Sequence, residues 1–384
     1  MDINICDITL RDGEQAAGVN FYPNEKLRIA EKFALLGIPI IEAGFAAASP
    51  ADFKAISLIS KEIGGNGKDS PIICSMSRAK AHDIEVAAEA LQHASIGRIQ
   101  VVMSTSDIHL KHKFNIGRDE AKKIIHKMVS YAATFGYEVE FAAEDATRTD
   151  IDFLIEVFKI AVEAGATTVE IPDTVGYSSP NEYGKIVSSV CNALPNNIVI
   201  ATHCHNDLGL AVANTLAGIC AGARQAEVTV NGIGERAGNA SLEEVVMNLS
   251  TRKDLYGFET NIETQYLLST SWLVSDLSGI SIQKNKAIVG DNAFLHESGI
   301  HQHGMLKNQK TYQIIDPKSV GWTGDQMFIG KHSGAHALLS KLSSMGIELT
   351  DEEFVVFYAK FKEFASVNKN IGENDLLKMV DANN

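Results

Sequence analysis

Cysteine is scarce and unpatterned. The 384 residues hold five, at Cys6, Cys74, Cys191, Cys204 and Cys220. The count is odd, and the spacing is wide with no metal-like pairing. That excludes a disulfide framework and fits reduced, mostly buried thiols in a cytoplasmic chain. Positive charge is short too: 34 Lys and Arg face 48 Asp and Glu, a formal net charge of -14. A nucleic-acid backbone or an anionic membrane is thereby a poor partner, although a small anion can bind where local charge allows. No apolar run is long enough to span a bilayer, and "MDINICDITL" lacks the basic leader and apolar stretch of a secretory signal. No segment is low in complexity.

What is present is a rhythm. Short β-rich apolar runs recur as "INICDIT" (3–9), "PIIEAGF" (39–45), "PIICSM" (71–76) and "RIQVVMS" (98–104). The series continues with "EVEFAAED" (138–145), "TVEIPD" (168–173), "IVIATHCH" (198–205) and "AEVTVNG" (226–232). Helical patterns lie between them. Three of these, "NEKLRIAEKFALLG", "DEAKKIIHKMVSYAATFG" and "DFLIEVFKIAVEAG", end in glycine, a usual helix stop. Eight strands alternating with helices over about 250 residues predict an α/β fold, a (β/α)8 TIM barrel. An open doubly wound sheet is the second candidate. It often carries a glycine-rich phosphate turn after the first strand, where this chain has the charged "LRDGEQAAG".

The rhythm breaks near residue 255. The sequence therefore predicts a catalytic barrel over 1–255 and small helical C-terminal subdomains. The first, over 256–330, is linker-like, and the second covers 331–384.

In a TIM barrel the chemistry gathers where strands end. The first strand end offers Asp7, Arg11, Asp12 and Glu14, and the second Glu42. The fifth offers Glu144 and Asp145, the sixth Asp173 and Thr174, the seventh His203 and His205. The eighth offers Asn231 and a loop ending at Asn239. Residues i and i+2 of a strand share a face, so His203 and His205 can aim both imidazoles into the mouth. A pair of hydrogen-bonded core histidines explains H-x-H about as well. A metal site gains weight from Asp12 and Asn239, which would flank the same mouth. Such a mixed N/O set suits Mg, Mn, Zn or Co. Cys204 points to the opposite face. Arg11 is either half of a surface salt bridge or a cation placed to stabilise an oxyanion. Glu144 is a base or a partner of Arg11. The "NGIGERAGN" loop, with Asn231, Gly232 and Gly234, is a plain turn or a backbone cradle for an anionic ligand tail.

Several long segments share their order with a known family: "LRDGEQ" (10–15), "EDATRTD" (144–150), "IPDTVGY" (171–177), "HCHNDLGLA" (203–211), "NGIGERAGNASLEE" (231–244), "HESGIHQHGMLKN" (296–308) and "GKHSG" (330–334). Together they resemble the 2-isopropylmalate synthase and homocitrate synthase family over nearly the whole chain. The resemblance implies an acyltransferase that condenses acetyl-CoA with a 2-oxo acid in a Claisen-type reaction dependent on a divalent metal ion. It implies metal ligands Asp12, His203, His205 and Asn239, with Arg11 over the substrate carbonyl and Thr174 on the substrate carboxylate. Glu144 becomes an acid/base group, with Glu14 counted beside it. Asn231, Gly232 and Gly234 become the acetyl-CoA cradle. His301 and Tyr312 would reach the barrel mouth of a partner subunit, which implies a homodimer with swapped appendages.

"IPDTVGY" and "SPADF" side with the isopropylmalate synthases, so 3-methyl-2-oxobutanoate is the expected substrate. Two positions depart from that pattern: Ala46 stands where proline is usual, and Gln100 where histidine is frequent. Both are candidates for touching the substrate side chain. The chain stops before a leucine-binding C-terminal domain, which predicts no leucine feedback through such a domain and matches the homocitrate synthase layout. A homocitrate synthase would need a cation for the second carboxylate of 2-oxoglutarate, with Arg78 as candidate. A citramalate or chain-elongating synthase, a lyase of the same superfamily and a non-catalytic relative are the remaining alternatives.

Overall fold

A computed structural model describes residues 2–324, 326–369 and 371–381. Eight strands, all parallel and in sequence order, close into a barrel. They are β1 (Asn4–Asp7), β2 (Ile40–Gly44), β3 (Ile72–Arg78), β4 (Gly97–Ser104), β5 (Glu138–Glu144), β6 (Thr168–Asp173), β7 (Val199–Cys204) and β8 (Gln225–Val228). Each overlaps a run expected from sequence. The last is cut short because the chain leaves the sheet after Val228 and enters a 3-10 turn, Val230–Gly232, with Asn231 at φ 60.

The helices that return the chain are α1 (Pro23–Leu36), α2 (Pro50–Glu62), α3 (Ala81–Ala90), α4 (Arg118–Ala133), α5 (Ile151–Glu163), α6 (Pro180–Ala193), α7 (Ala211–Cys220) and α8 (Leu242–Thr251). Their ends follow local chemistry. Ser49 accepts the backbone N–H of Asp52, with Pro50 at the first helical position, so one orphan donor is satisfied and another never exists. Ser179 and Glu182 form a reciprocal capping box at the start of α6. Gly37 closes α1 at φ 73, a conformation that a side chain disfavours. The inner face of α1 buries Ile29, Ala30, Phe33 and Leu36. The larger of these side chains each contribute about 1.5–3 kcal/mol through burial.

The barrel interior is unusually polar. Branched aliphatic layers normally fill this fold, but here Gln100, Glu140, Glu170, His203, Gln225 and Glu227 are all buried. Arg98 supplies the countercharge on the floor. It donates to Glu138 at 2.8 Å, Glu140 at 3.0 Å and Gln225 at 2.8 Å.

The first compact unit runs to Ile282, beyond the break in rhythm at 255. The extension is α9 (Leu267–Ser278). It packs against α1, and the Glu263 N–H just before it donates to the carbonyl of Leu36.

The second unit covers 283–384. Its described helices are α10 (Gly299–Lys307), α11 (Ala335–Ser344), α12 (Asp351–Val367) and α13 (Glu373–Asp381). Ile329, Leu338, Leu342, Phe357, Phe361 and Leu376 form its core. Among the described residues, no helix is long and apolar enough to cross a membrane.

Candidate active site and metal centre

The C-terminal ends of the strands surround a cavity of about 660 Å³. Strand alternation puts His203 of β7 and His205, one residue past the end of that strand, into it. The Nε2 atoms of His203 and His205 lie 3.2 Å apart, and Asp12 Oδ2 is 4.0 Å from the first and 3.8 Å from the second. Ligand atoms of Asp12, His203 and His205 thus cluster tightly, and all three residues are buried.

The electrostatics favour a cation there. Burial disfavours the ionised form of Asp12, but the Arg11 guanidinium, helped by the Asn239 hydrogen bond, outweighs it and holds the carboxyl far below its usual range. Burial keeps both imidazoles neutral, with His205 lowered to about 4. The Nδ1 of His203 lies 2.8 Å from Glu227 Oε2. An N–H there, donated to that carboxyl group, leaves the Nε2 lone pair facing the cluster.

Asn239 completes the set. Its amide nitrogen donates to Asp12 Oδ1 at 2.6 Å and to the carbonyl of Ile233 at 3.2 Å. Its Oδ1 is buried with no hydrogen-bond partner among the described residues. A buried acceptor left unmade is costly, and a bound cation would satisfy it. Two neutral imidazoles, a carboxylate and an amide oxygen fit a divalent metal ion with mixed N/O preference.

Arg11 is not a surface ion pair. Its Nη1 donates to Asp12 at 2.7 Å and its Nε to Glu42 at 2.8 Å, with its side chain 11% exposed. Two of the five guanidinium N–H groups are used this way. Glu144 does not pair with Arg11. Lys113 donates to both of its oxygens at 2.7 Å, and the Ser104 hydroxyl bonds it as well. Thr174 lines the cavity, and its hydroxyl accepts the Asp145 N–H at 2.8 Å. Gln100 lines it too, donating to Glu170 at 2.8 Å.

Other expected site residues lie elsewhere. Glu14 does not line the cavity; its carboxylate is committed to Lys26 at 2.6 Å and to the Phe21 N–H at 2.9 Å. Ala46 is buried but outside the lining. The Asn231 amide is held by Ser271 on α9, to whose carbonyl it donates at 3.0 Å. Gly232 and Gly234 serve the Asp12–Asn239 corner. A Cβ on Gly232 would sit 3.1 Å from the Asn239 carbonyl oxygen, and one on Gly234 would sit 2.2 Å from Asn239 Nδ2. Asp173 is used by the fold: it accepts from Thr147, Tyr177 and Ser178.

Two contributors were not visible as site residues. Glu170 and Glu227 both contact His203 Nδ1, at 3.3 Å and 2.8 Å. In "TVEIPD" and "AEVTVNG" each glutamate reads as the outward member of an alternating strand. Only a second set of carboxylates on the histidine face could have marked them.

In the second unit, the rings of His301 and Tyr312 lie 4.1 Å apart. His301 is exposed and Tyr312 is 44% exposed. His296 stands 6.2 Å from His301.

Comparison with known proteins agrees with this architecture. A family model described as HMGL-like matches residues 2–274, and one described as homocitrate synthase post-HMGL domain-like matches 288–369. A Heliobacterium modesticaldum 2-isopropylmalate synthase is 49% identical over 379 residues, covering 98% of this chain and 73% of that protein. The chain belongs to the 2-isopropylmalate synthase family. It is an enzyme, an acyltransferase. The Pyrococcus furiosus 2-isopropylmalate synthase is 48% identical, with 98% of this chain and 75% of that protein covered. Among solved structures, the hydroxymethylglutaryl-CoA lyase from Pseudomonas aeruginosa matches with a TM-score of 0.63 at 17% identity. It covers 73% of this chain and 94% of that one, and the likeness is one of fold.

Proposed function

We propose that the protein condenses acetyl-CoA with 3-methyl-2-oxobutanoate to give 2-isopropylmalate and CoA. The observation that carries the substrate reading is the combination of an apolar wall and paired cations. Met76, Val102, Met103, Ala142 and Pro172 line the cavity, a surface suited to a branched aliphatic side chain. Its cations are mostly neutralised. Arg11 is tied to Asp12 and Glu42, Arg78 to Asp83, Lys113 to Glu144 and Arg236 to Asp207. A second substrate carboxylate would have to break one of these pairs or rely on the exposed Lys80.

A divalent cation held by Asp12, His203, His205 and Asn239 would draw electron density from the ketone and carboxylate oxygens of the 2-oxo acid. The residues of the chain supply the rest. The acetyl methyl group gives up a proton to Glu144, the resulting enolate carbon bonds to the ketone carbon, and the unused N–H groups of Arg11 stabilise the alkoxide that forms until it is protonated. Thr174 orients the substrate carboxylate. Glu144, held by Lys113 and Ser104, is an acid/base group at the mouth. Hydrolysis of the thioester then frees the CoA thiol. His301 and Tyr312, an exposed ring pair, assist proton transfer at the mouth of a partner's barrel, so the working unit is a homodimer. Outside this scheme, Glu14 holds the Arg11 loop.

A homocitrate synthase is the second reading. It is favoured by the match of residues 288–369 to a homocitrate synthase domain and by Lys80, which has no carboxylate partner among the described residues. Thiol release with a panel of 2-oxo acids, with and without Mn or Mg, separates the two. Fastest turnover with 3-methyl-2-oxobutanoate supports the proposal. Fastest turnover with 2-oxoglutarate replaces it with the second reading.

A further inference from the structure

Lys26 is a lysine buried in the shell of the barrel, its side chain 1% exposed. An ammonium group has three donors and needs all of them met when taken out of water. Here they are met by Glu14 Oε2 at 2.6 Å, the Leu10 carbonyl at 3.0 Å and Asp52 Oδ1 at 3.1 Å. Asp52 lies in the first turn of α2, where Ser49 also bonds it. Leu10 and Glu14 lie on either side of the Arg11–Asp12 dipeptide. One ammonium therefore grips the chain just before the arginine and just after the aspartate, and ties both points to two helices.

The ammonium lies against Gly44 at the end of β2. A Cβ on Gly44 would stand 3.4 Å from the Lys26 nitrogen. Glu14 extends the clamp, since its other oxygen accepts the Phe21 N–H at 2.9 Å and so pins the far end of the loop. The loop itself has little regular structure: a three-residue 3-10 turn, Gly13–Gln15, and bonds from the Arg11 and Gly13 N–H groups back to the Ile8 carbonyl. Glu42 and Asn239 bond the Arg11 and Asp12 side chains, and the clamp holds the backbone from which those side chains reach them.

We infer that Lys26 is a positioning residue for the reaction, acting through Glu14 and the Leu10 carbonyl to place the Arg11 guanidinium and the Asp12 carboxylate. The inference rests on the roles proposed above for Arg11 and Asp12. It separates the three contacts of Lys26 by what they do. The two loop-side contacts set the site, and the Asp52 contact joins α1 to α2.

The test uses the full chain and the variants Lys26→Met, Glu14→Gln and Asp52→Asn. For each, kcat and KM for the 2-oxo acid, Mn affinity of the metal-free protein by titration calorimetry, and Tm are measured. Lys26→Met and Glu14→Gln should lower kcat and Mn affinity by about tenfold or more, as loss of groups that orient a ligand does, with KM changed less than kcat. The double variant should be no worse than Lys26→Met, because the two act as a unit. Asp52→Asn should lower Tm while kcat and Mn affinity stay within about twofold. If Lys26→Met does not fold, Glu14→Gln carries the test. Retention of kcat and Mn affinity in Glu14→Gln, with only Tm reduced, would show a purely structural lysine and overturn the inference. If the wild-type chain releases no thiol, the reaction reading fails, and the Mn affinities still decide the positioning role.

Discussion

Asn239 gives its amide hydrogen to Asp12 at 2.6 Å and keeps a buried carbonyl oxygen without a partner among the described residues. The two residues are far apart in sequence, yet they form one corner of the candidate metal centre. Gly234 makes that corner possible. It sits at φ +151, and a Cβ there would lie 2.2 Å from Asn239 Nδ2 and 2.8 Å from Asp12 Oδ1. Gly234→Ala should therefore push the pair apart and lower Mn affinity by roughly 10- to 100-fold. Titration calorimetry on the metal-free protein reads this directly, and unchanged affinity would remove Asn239 from the ligand set.

Arg78 lines the cavity beside Lys80, but Asp83 holds it with two bonds, at 2.5 Å and 3.1 Å. Asp83→Asn should release it. The ratio of kcat/KM for 2-oxoglutarate to that for 3-methyl-2-oxobutanoate is then expected to rise by about tenfold, the effect of about 1.4 kcal/mol of new interaction. A ratio that does not move means Arg78 does not reach the substrate side chain.

Asp7 gives the fold a pH dependence of known sign. Burial pushes its carboxyl up to about 7, against the opposing bonds from Thr9. Oδ2 is buried with no partner among the described residues. The native state therefore keeps a proton that the unfolded chain loses near the ordinary value of 3.8. Between these limits the unfolded state binds fewer protons, so the Asp7 contribution is full at low pH and is lost as pH rises, by up to about 1.4 kcal/mol per unit. Asp7→Asn cannot titrate. Its Tm relative to wild type should climb from roughly pH 4 to pH 7 in calorimetric scans, and a constant difference would show that Asp7 ionises normally.

Arg11→Ala should lower kcat by about 100- to 1,000-fold, the loss expected for one oxyanion donor. His301→Ala should also be weak. If the second unit works on a partner's barrel, mixing the two inactive variants creates dimers with one intact site, and thiol release should return. Verified mixed dimers without activity would rule out the swapped arrangement.

Much of this was readable in advance. β-Branched runs at barrel spacing marked the strands, since strand-forming residues bounded by helix caps and glycine stops are local signals. His203 and His205 were readable because strand alternation alone puts them on one face. The polar interior was not. Glu140, Glu170 and Glu227 alternate with apolar neighbours as if half of each strand faced water, and only closure of the sheet turns that face inward. Lys26 likewise reads as an ordinary helix surface residue between Glu25 and Arg28. The 3-10 turn after β8 and the tie between Asn231 and Ser271 depend on a helix 40 residues away.

By itself, the sequence determined the fold class, the order of the strands and the residue types at the barrel mouth, because helix and strand periodicity, caps and turns act over a few residues. The tertiary structure decided which of those residues converge, which carboxylates lose their charge through burial, and which cations are already neutralised. Those outcomes depend on distances between segments remote in the chain, and on the low polarity created once the barrel has closed.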